Sequence, residues 1–140
     1  MKALIDEQTM WKIAASGFGL ICGIAIIAFM NQLNFMLNPV EYSNHTVNDV
    51  QEKNLINSTV FLAGKIISVI AGSFFCGAVI KLIYFSIELK FIVTVSLVML
   101  LVAFIDLLAA QYPAWFWAIS MGVYVPSSIS GYYFIIQIRK

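Results

Sequence analysis

Residues 65–81 read KIISVIAGSFFCGAVIK, an apolar run that begins and ends with a lysine. A second run, residues 90–106, reads KFIVTVSLVMLLVAFID and ends in an aspartate. Each run covers most of a membrane span, because a transmembrane helix needs about 20 predominantly apolar residues. Lys65 and Asp106 therefore lie inside the predicted spans, where an ionisable residue indicates a functional site by default.

The composition of the whole chain is typical of a membrane protein. Of its 140 residues, 61% are hydrophobic and only 11% are charged, whereas soluble domains carry about 25% charged residues. The net charge of +1 provides no basic surface, so no nucleic-acid partner is expected. The length predicts a single domain embedded in the lipid bilayer.

Four apolar stretches fit this domain, each close to the length that crosses a membrane. They cover residues 11–36, 58–84, 89–111 and 113–138, and an outer loop at residues 37–57 joins the first two. Pro113 suits the first turn of the fourth helix, where its missing N–H costs nothing. The sequence thus predicts an all-α, polytopic membrane protein with a bundle of four transmembrane helices.

The basic residues predict the orientation of the bundle, since cytoplasmic loops are enriched in Lys and Arg. One end of the predicted bundle carries most of them: Lys2, Lys12, Lys81, Lys90, Arg139 and Lys140. The opposite end carries only Lys53, in the outer loop. Both termini are therefore expected on the cytoplasmic side, an N-in and C-in arrangement.

Helical rise predicts that Lys65 and Asp106 lie at one depth. Each is about 24 Å from the lysine at the other end of its run, Lys81 or Lys90, at about 1.5 Å per residue. Helices joined by a short loop run antiparallel, so the two charges are expected to face each other across the second and third helices. Three interpretations stay open: a structural ion pair, a ligand or ion site, and a Lys65 side chain that extends to the interface.

Other polar residues are expected near this level. The predicted polar pocket lies in the outer half of the bilayer and consists of Lys65, Asp106, Asn31, Asn34, Ser127 and Ser128. Pro126 cannot donate a helical hydrogen bond, so it predicts a kink near Gly122 in the fourth helix. Serines beside such a kink can satisfy the freed backbone groups.

Small residues recur at helical spacing and predict close helix packing. The glycines expected at helix contacts are Gly19, Gly23, Gly64, Gly72 and Gly77. Their contacts are interpreted either as packing within one bundle or as an interface in a homo-oligomer or a larger membrane complex.

Recognisable catalytic or cofactor motifs are absent from the sequence. It contains one His and two Cys, with no CxxC pair, no Ser/His/Asp set within the spans and no phosphate-binding glycine loop. His45 is four residues from both Glu41 and Asp49, and we interpret the three as part of a solvated loop rather than as a metal site. We expect no enzyme activity, no cofactor and no bound metal.

Two segments resemble a group of small uncharacterised bacterial membrane proteins with four spans. The first segment is Ala71-Gly72-Ser73-Phe74-Phe75-Cys76-Gly77; the second is Tyr112-Pro113-Ala114-Trp115-Phe116-Trp117, followed by Tyr124-Val125-Pro126 and Gly131. The resemblance covers roughly half of the chain and implies a four-helix fold in a bacterial inner (plasma) membrane. It implies no activity.

These observations favour a small membrane-embedded binding or transport-type protein with a polar pocket in the outer half of the bilayer. The alternative is a non-catalytic accessory or scaffold subunit whose glycine faces dock on a larger membrane complex. A hydrated pocket would favour the first function. A dry Lys65–Asp106 pair, with the glycines facing lipid, would favour the second.

Overall fold

The computed structural model describes residues 7–38, 58–109 and 112–139 of the chain. Within these ranges the chain forms four α-helices: α1 (Glu7–Leu37), α2 (Thr59–Ile83), α3 (Leu89–Ala109) and α4 (Ala114–Ile138). The predicted fold class, an all-α bundle, is confirmed. Most of the predicted outer loop, residues 39–57, lies outside the described residues.

All four helices are long and apolar enough to cross a membrane. The longest, α1, has 31 residues and the shortest, α3, has 21, or about 46 Å and 32 Å of helix, against a hydrocarbon core of about 30 Å. Their outward faces are apolar too, because Ile21, Phe29 and Ile105 are 66%, 63% and 69% exposed. Large apolar surfaces of this kind suit lipid rather than water, so the chain is a multi-pass membrane protein.

Local sequence determines where α2 and α4 begin. The Oγ atom of Ser58 caps α2 by accepting a hydrogen bond from the N–H of Phe61 at 3.2 Å, which satisfies one of the unpaired donors of the first turn. Pro113 is the N-cap residue of α4, one position before the helix rather than in its first turn. Its carbonyl oxygen accepts a hydrogen bond from the N–H of Phe116 at 3.0 Å.

The central helix of the bundle is α2. It packs extensively against α1 and against α4, whereas α3 packs mainly against α4 and only slightly against α1 and α2. The second and third helices were expected to face each other directly. The structure corrects this expectation, because each of them packs against α4 instead, although a short turn joins them.

Glycines allow α1 and α2 to come into backbone contact. A Cβ atom on Gly23 would lie 2.9 Å from the Cβ of Cys76 and 3.0 Å from the carbonyl oxygen of Gly72. A Cβ on Gly72 would lie 2.6 Å from the carbonyl oxygen of Gly23. Gly19 occupies the same interface, against Ile80. This interface therefore has no room for a side chain at any of the three glycines.

The contact between α2 and α4 is built in the same way. A Cβ on Gly77 would lie 2.8 Å from the carbonyl carbon of Ser128, and a Cβ on Gly131 would lie 3.0 Å from the backbone nitrogen of Ala78. Because small residues let backbones approach closely, they stabilise helix pairs where lipid offers no hydrophobic gain. Two faces of α2 are thus used for contacts inside the chain.

Basic side chains gather at one end of the bundle, where α1 begins, α2 turns into α3 and α4 ends. The ammonium groups of Lys12 and Lys90 lie 5.4 Å and 5.9 Å from the ring centroid of Phe91. The guanidinium group of Arg139 lies 5.2 Å from the ring centroid of Phe85. By the predicted orientation this end is the inner one, and we use that label below.

Lys81 differs from the other basic residues at the inner end because it is buried, with 5% of its surface exposed. Its ammonium group donates to the carbonyl oxygens of Phe85 and Ile87 in the α2–α3 turn. It also lies 4.5 Å and 4.6 Å from the ring centroids of Phe85 and Tyr132. Carbonyl oxygens and ring faces replace water around the charge. Lys81 therefore ties α2, the turn and α4 together, which its sequence position at a span end did not predict.

The fourth helix continues through Pro126 without a break. The hydroxyl groups of Ser128 and Ser130 donate to the carbonyl oxygens of Tyr124 and Pro126, at 3.1 Å and 2.9 Å. Both bonds stay inside α4, as is usual for serines in apolar helices. The kink near Gly122 stays a prediction from the sequence, and the continuous helix does not support a broken one.

Replacing Gly131 with alanine is expected to lower the free energy of unfolding by about 1–3 kcal/mol, the typical cost of overpacking. The added Cβ would press on the backbone of Phe74 and Ala78. Gly122→Ala is the matched control on the same helix, because no atom lies within 4 Å of a Cβ there. Unfolding in sodium dodecyl sulfate, followed by circular dichroism, measures both variants. Equal losses of stability would contradict the packing of α4 on α2.

Single cysteines in a variant without Cys22 and Cys76 report the orientation. Ser86→Cys, in the α2–α3 turn, is expected to react with a membrane-impermeant maleimide only after permeabilisation, because basic residues surround this turn. Asn48→Cys, between α1 and α2 in the sequence, is expected to react in intact cells. The reverse pattern would contradict the N-in and C-in arrangement.

Candidate functional site

A cavity of about 260 Å³ lies between α2 and α3, the two helices that make only slight contact with each other. All four helices contribute to its lining. The polar lining residues are Asn31, Lys65, Asp106, Tyr112, Ser120 and Tyr124. The remaining wall is mainly apolar and includes Ile27, Val69, Met99 and Phe116.

Most of the polar groups lie at one depth, near the outer end of the bundle. Asn31 is six residues before the end of α1, Lys65 is six residues after the start of α2, and Ser120 is six residues after the start of α4. Each is therefore about 9 Å inside its helix end. Asp106 is three residues before the end of α3, or about 4.5 Å inside.

Lys65 contacts Tyr112, which lies in the connection between α3 and α4. The Lys65 ammonium group donates to the Tyr112 hydroxyl oxygen. It also lies 4.8 Å from the ring centroid of Tyr112 and 5.9 Å from that of Phe61. The half-buried Lys65 side chain is thus held towards the cavity without a carboxylate.

Asp106 faces the same cavity but forms no ion pair with Lys65. Across residues 7–38, 58–109 and 112–139, the one salt bridge within 4.0 Å joins Lys90 to Glu88, at 2.7 Å. The predicted ion pair between Lys65 and Asp106 is therefore not formed. Both residues lie near the outer end of the bundle, but their helices pack against α4 rather than against each other, and the cavity lies between them. Asp106 is exposed, which puts its carboxylate at the mouth of the cavity.

Two polar atoms of the cavity lack a hydrogen-bond partner among the described residues. They are Oδ1 of Asn31 and Oγ of Ser120, and both atoms are buried. Ser120 as a whole is only 2% exposed. An unpaired buried polar group costs about 1–3 kcal/mol. Neither atom is accessible to water in this conformation, so a polar occupant would satisfy them only after a side-chain rotation.

Three residues of the predicted pocket lie outside this cavity: Asn34, Ser127 and Ser128. Asn34 is buried against Gly64, and its Nδ2 atom donates to the carbonyl oxygen of Phe61 at 2.9 Å. Ser128 is buried in the contact between α2 and α4. Ser127 and Ser128 lie about 20 Å below the outer end of α4. That depth is too great for a pocket in the outer half of the bilayer.

The cavity also contains residues that the sequence analysis did not assign to it: Tyr112, Ser120 and Tyr124. Phe116, Ser120 and Tyr124 follow one another at intervals of four residues, so they lie on one face of α4. That spacing was the available signal in the sequence. Tyr112 has only the signature of an aromatic residue at the membrane interface, and the fold brings its ring next to Lys65.

The groups that face the cavity can bind a ligand through charge and hydrogen bonds. They comprise one ammonium group, one carboxylate, three hydroxyls and one amide. Among the described residues, no group of three His, Cys, Asp or Glu side chains could hold a metal ion. The loop residues Glu41, His45 and Asp49 lie outside the described residues.

Comparison with known proteins provides no functional assignment. No protein-family model, no curated protein and no solved structure matches this chain.

Double-mutant cycles test the contact between Lys65 and Tyr112 and the ion pair between Lys65 and Asp106 that the sequence predicted. Lys65→Met combined with Tyr112→Phe is expected to show a coupling energy of about 1–3 kcal/mol, because the two side chains share a charged hydrogen bond. Lys65→Met combined with Asp106→Asn is expected to be additive within about 0.5 kcal/mol. Unfolding in sodium dodecyl sulfate measures both cycles. A larger coupling energy of Lys65 with Asp106 than with Tyr112 would support the ion pair and contradict the contacts described for Lys65.

Proposed function

We propose that this protein is a small membrane-embedded binding protein of the transport type, with its ligand site in the cavity between α2 and α3. One observation carries the proposal: Lys65 and Asp106 face the same cavity without contacting each other. Charges within membrane spans are costly and usually serve a function. Two charges on the wall of a cavity are more useful for binding than for packing.

The arrangement of the lining supports entry of the ligand from the outer side. Asp106 is exposed at the mouth, and Lys65, Asn31 and Ser120 lie deeper along their helices. Below them, apolar residues such as Met99 form the floor. Sites for small ligands combine an apolar wall with a few polar groups in this way.

Side chains fill the core around α2 in the inner half, which supports a recess rather than a continuous pore. A second groove, of about 320 Å³, lies there between α1 and α3 and is lined mainly by apolar residues. Ile80, Ile92 and Val95 belong to one buried cluster together with Cys76, and Met99 is only 2% exposed. Transport across the membrane would therefore require a second conformation. Among the described helices α3 is the best placed to move, because it has only slight contact with α1 and α2.

An accessory or scaffold subunit without catalytic activity is the second candidate. Gly17 and Gly122 favour it, because both are exposed and no atom lies within 4 Å of a Cβ at either position. A helix of a second copy, or of a larger membrane complex, could approach these faces closely. The glycines that contact α2 are already used inside the chain, so the binding function remains the first candidate.

The proposal includes a location and a general partner. The resemblance of residues 71–77 and 112–117 to small bacterial four-span proteins supports a bacterial inner (plasma) membrane. The surrounding bilayer contacts the exposed apolar faces. Neither an enzyme activity nor a cofactor is part of the proposal.

Thiol accessibility tests whether the cavity is hydrated. In a variant without the native cysteines, Asp106→Cys is expected to react fast with a small, charged methanethiosulfonate added from outside. Ser120→Cys is expected to react more slowly, because Ser120 is only 2% exposed. Ile105→Cys and Ile119→Cys are the matched controls on the same helices, since both isoleucines face outward with 69% and 46% exposed. The controls are expected to react at least tenfold more slowly, because their thiols would face lipid, where the reactive thiolate does not form.

Reaction rates are measured by mass spectrometry of the intact protein. Modification at both cavity positions, faster than at the controls, would support binding in a hydrated recess. If neither cavity thiol reacts in a folded variant, the cavity is dry and the scaffold function becomes the first candidate.

A further inference from the structure

We propose that the cavity binds a zwitterion, a compound that carries a primary ammonium group and an anionic oxygen group close together beside an apolar part. This inference rests on the proposed function and specifies its class of ligand. It starts from two opposite charges, Lys65 and Asp106, that face one cavity and do not neutralise each other.

Lys65 and Tyr112 offer hydrogen-bond donors to the anionic group of the ligand. The Lys65 ammonium group has three N–H donors, and one of them contacts the Tyr112 hydroxyl oxygen. In that arrangement the Tyr112 hydroxyl can itself donate, as can the remaining N–H groups of Lys65. Carboxylate and phosphate groups form their strongest hydrogen bonds with charged donors of this kind.

Acceptor oxygens for the ammonium group come from the other three helices. The Asp106 carboxylate belongs to an exposed lining residue, whereas Oδ1 of Asn31 and Oγ of Ser120 become available when their side chains rotate towards the cavity. The Asn31 and Ser120 atoms are buried and have no partner among the described residues, and Ser120 is 98% buried. A primary ammonium group has three N–H donors to satisfy. A quaternary ammonium group has none, so it would leave both atoms unpaired.

A ligand with a single charge fits this cavity less well than a zwitterion. An anion next to Lys65 would also approach the Asp106 carboxylate, and an amine next to Asp106 would also approach Lys65. Both repulsions act even at an effective dielectric constant of about 20, which is typical of charges near a protein surface. A zwitterion places each of its charges beside the opposite charge of the protein, so it removes both repulsions.

The apolar part of the ligand is accommodated by the rest of the wall. Ile24, Val102 and Leu107 line the cavity together with Phe116. The volume of about 260 Å³ lies below the roughly 300–1,000 Å³ of pockets for drug-sized ligands, so the ligand is compact. Two sources supply this chemistry: a free amino acid with an apolar side chain, and the ethanolamine head group of a phospholipid.

Three compounds with the same branched apolar chain separate the contributions of the two ligand charges to binding. Leucine carries both, 4-methylpentanoate lacks the ammonium group, and 3-methylbutylamine lacks the carboxylate. Calorimetric titration of the full-length protein in phosphatidylcholine nanodiscs measures their affinities. Leucine is expected to bind at least tenfold more tightly than either analogue. This comparison uses the unmodified protein, so it does not depend on the folding of a variant.

Variants then assign each charge to its partner. Asp106→Asn is expected to weaken leucine binding about ten- to hundredfold and to leave 4-methylpentanoate binding unchanged or stronger. Lys65→Gln is expected to weaken leucine binding by a similar factor and to spare 3-methylbutylamine. Lys90→Gln and Ser130→Ala are the controls, since neither residue lines the cavity, and both are expected to bind leucine as the unmodified protein does.

The lipid source is tested in nanodiscs that contain phosphatidylethanolamine and phosphatidylcholine in equal amounts. Native mass spectrometry reports which lipid stays bound to the released protein. If the head group is the ligand, phosphatidylethanolamine is retained preferentially, Asp106→Asn abolishes the preference, and leucine does not bind. If the amino acid is the ligand, leucine binds and the two lipids are retained equally.

Equal affinity for the three probes, or no binding of any, together with no preference for phosphatidylethanolamine, would overturn the zwitterion proposal. The thiol-accessibility experiment then shows whether only the ligand class is wrong or the proposed binding function as well. If Ser120→Cys is still modified, the cavity remains a binding site and only the ligand class is wrong. If Ser120→Cys is unreactive as well, the proposed function fails together with the ligand class.

Discussion

The backbone contact of α2 with both α1 and α4 is the constraint on which the rest of the structure depends. Lipid tails are as apolar as leucine, so burying apolar side chains between helices gains little in a membrane, and association depends on close packing. Gly23 and Gly72 provide it towards α1, and Gly77 and Gly131 provide it towards α4. At each position a Cβ would collide with the neighbouring helix, so the absence of a side chain sets the distance between the helices.

This constraint determines where the cavity forms. Two faces of α2 are occupied by α1 and α4, whereas α3 contains no glycine and packs mainly against α4. The gap between α2 and α3 is closed towards the inner end by large side chains such as Ile92 and Met99. Towards the outer end it remains open as the cavity that holds Lys65 and Asp106. The loosest helix contact and the most polar part of the bundle therefore occur together.

The two lysines of α2 show how this bundle accommodates cations without carboxylates. Lys81 is buried between backbone carbonyl oxygens and the rings of Phe85 and Tyr132. Lys65 contacts the oxygen and the ring of Tyr112 but also faces the cavity. The difference in surroundings separates their roles. The contacts of Lys81 hold the α2–α3 turn in place, whereas Lys65 has N–H donors left over on the cavity side.

The sequence by itself determined the number of helices, the end at which the basic residues gather and the position of Lys65 and Asp106 near the opposite end. These properties are local, because they depend on apolar run lengths and on a constant rise per residue. The partner of Lys65 and the burial of Lys81 were decided only by the tertiary structure, as was the exclusion of Ser127 and Ser128 from the cavity. The lipid-facing and buried sides of a membrane helix are both apolar, so hydrophobic periodicity does not reveal its rotation or its neighbours. The rotation and the neighbours of each helix are set by packing between distant segments, which places α4 rather than α3 against α2.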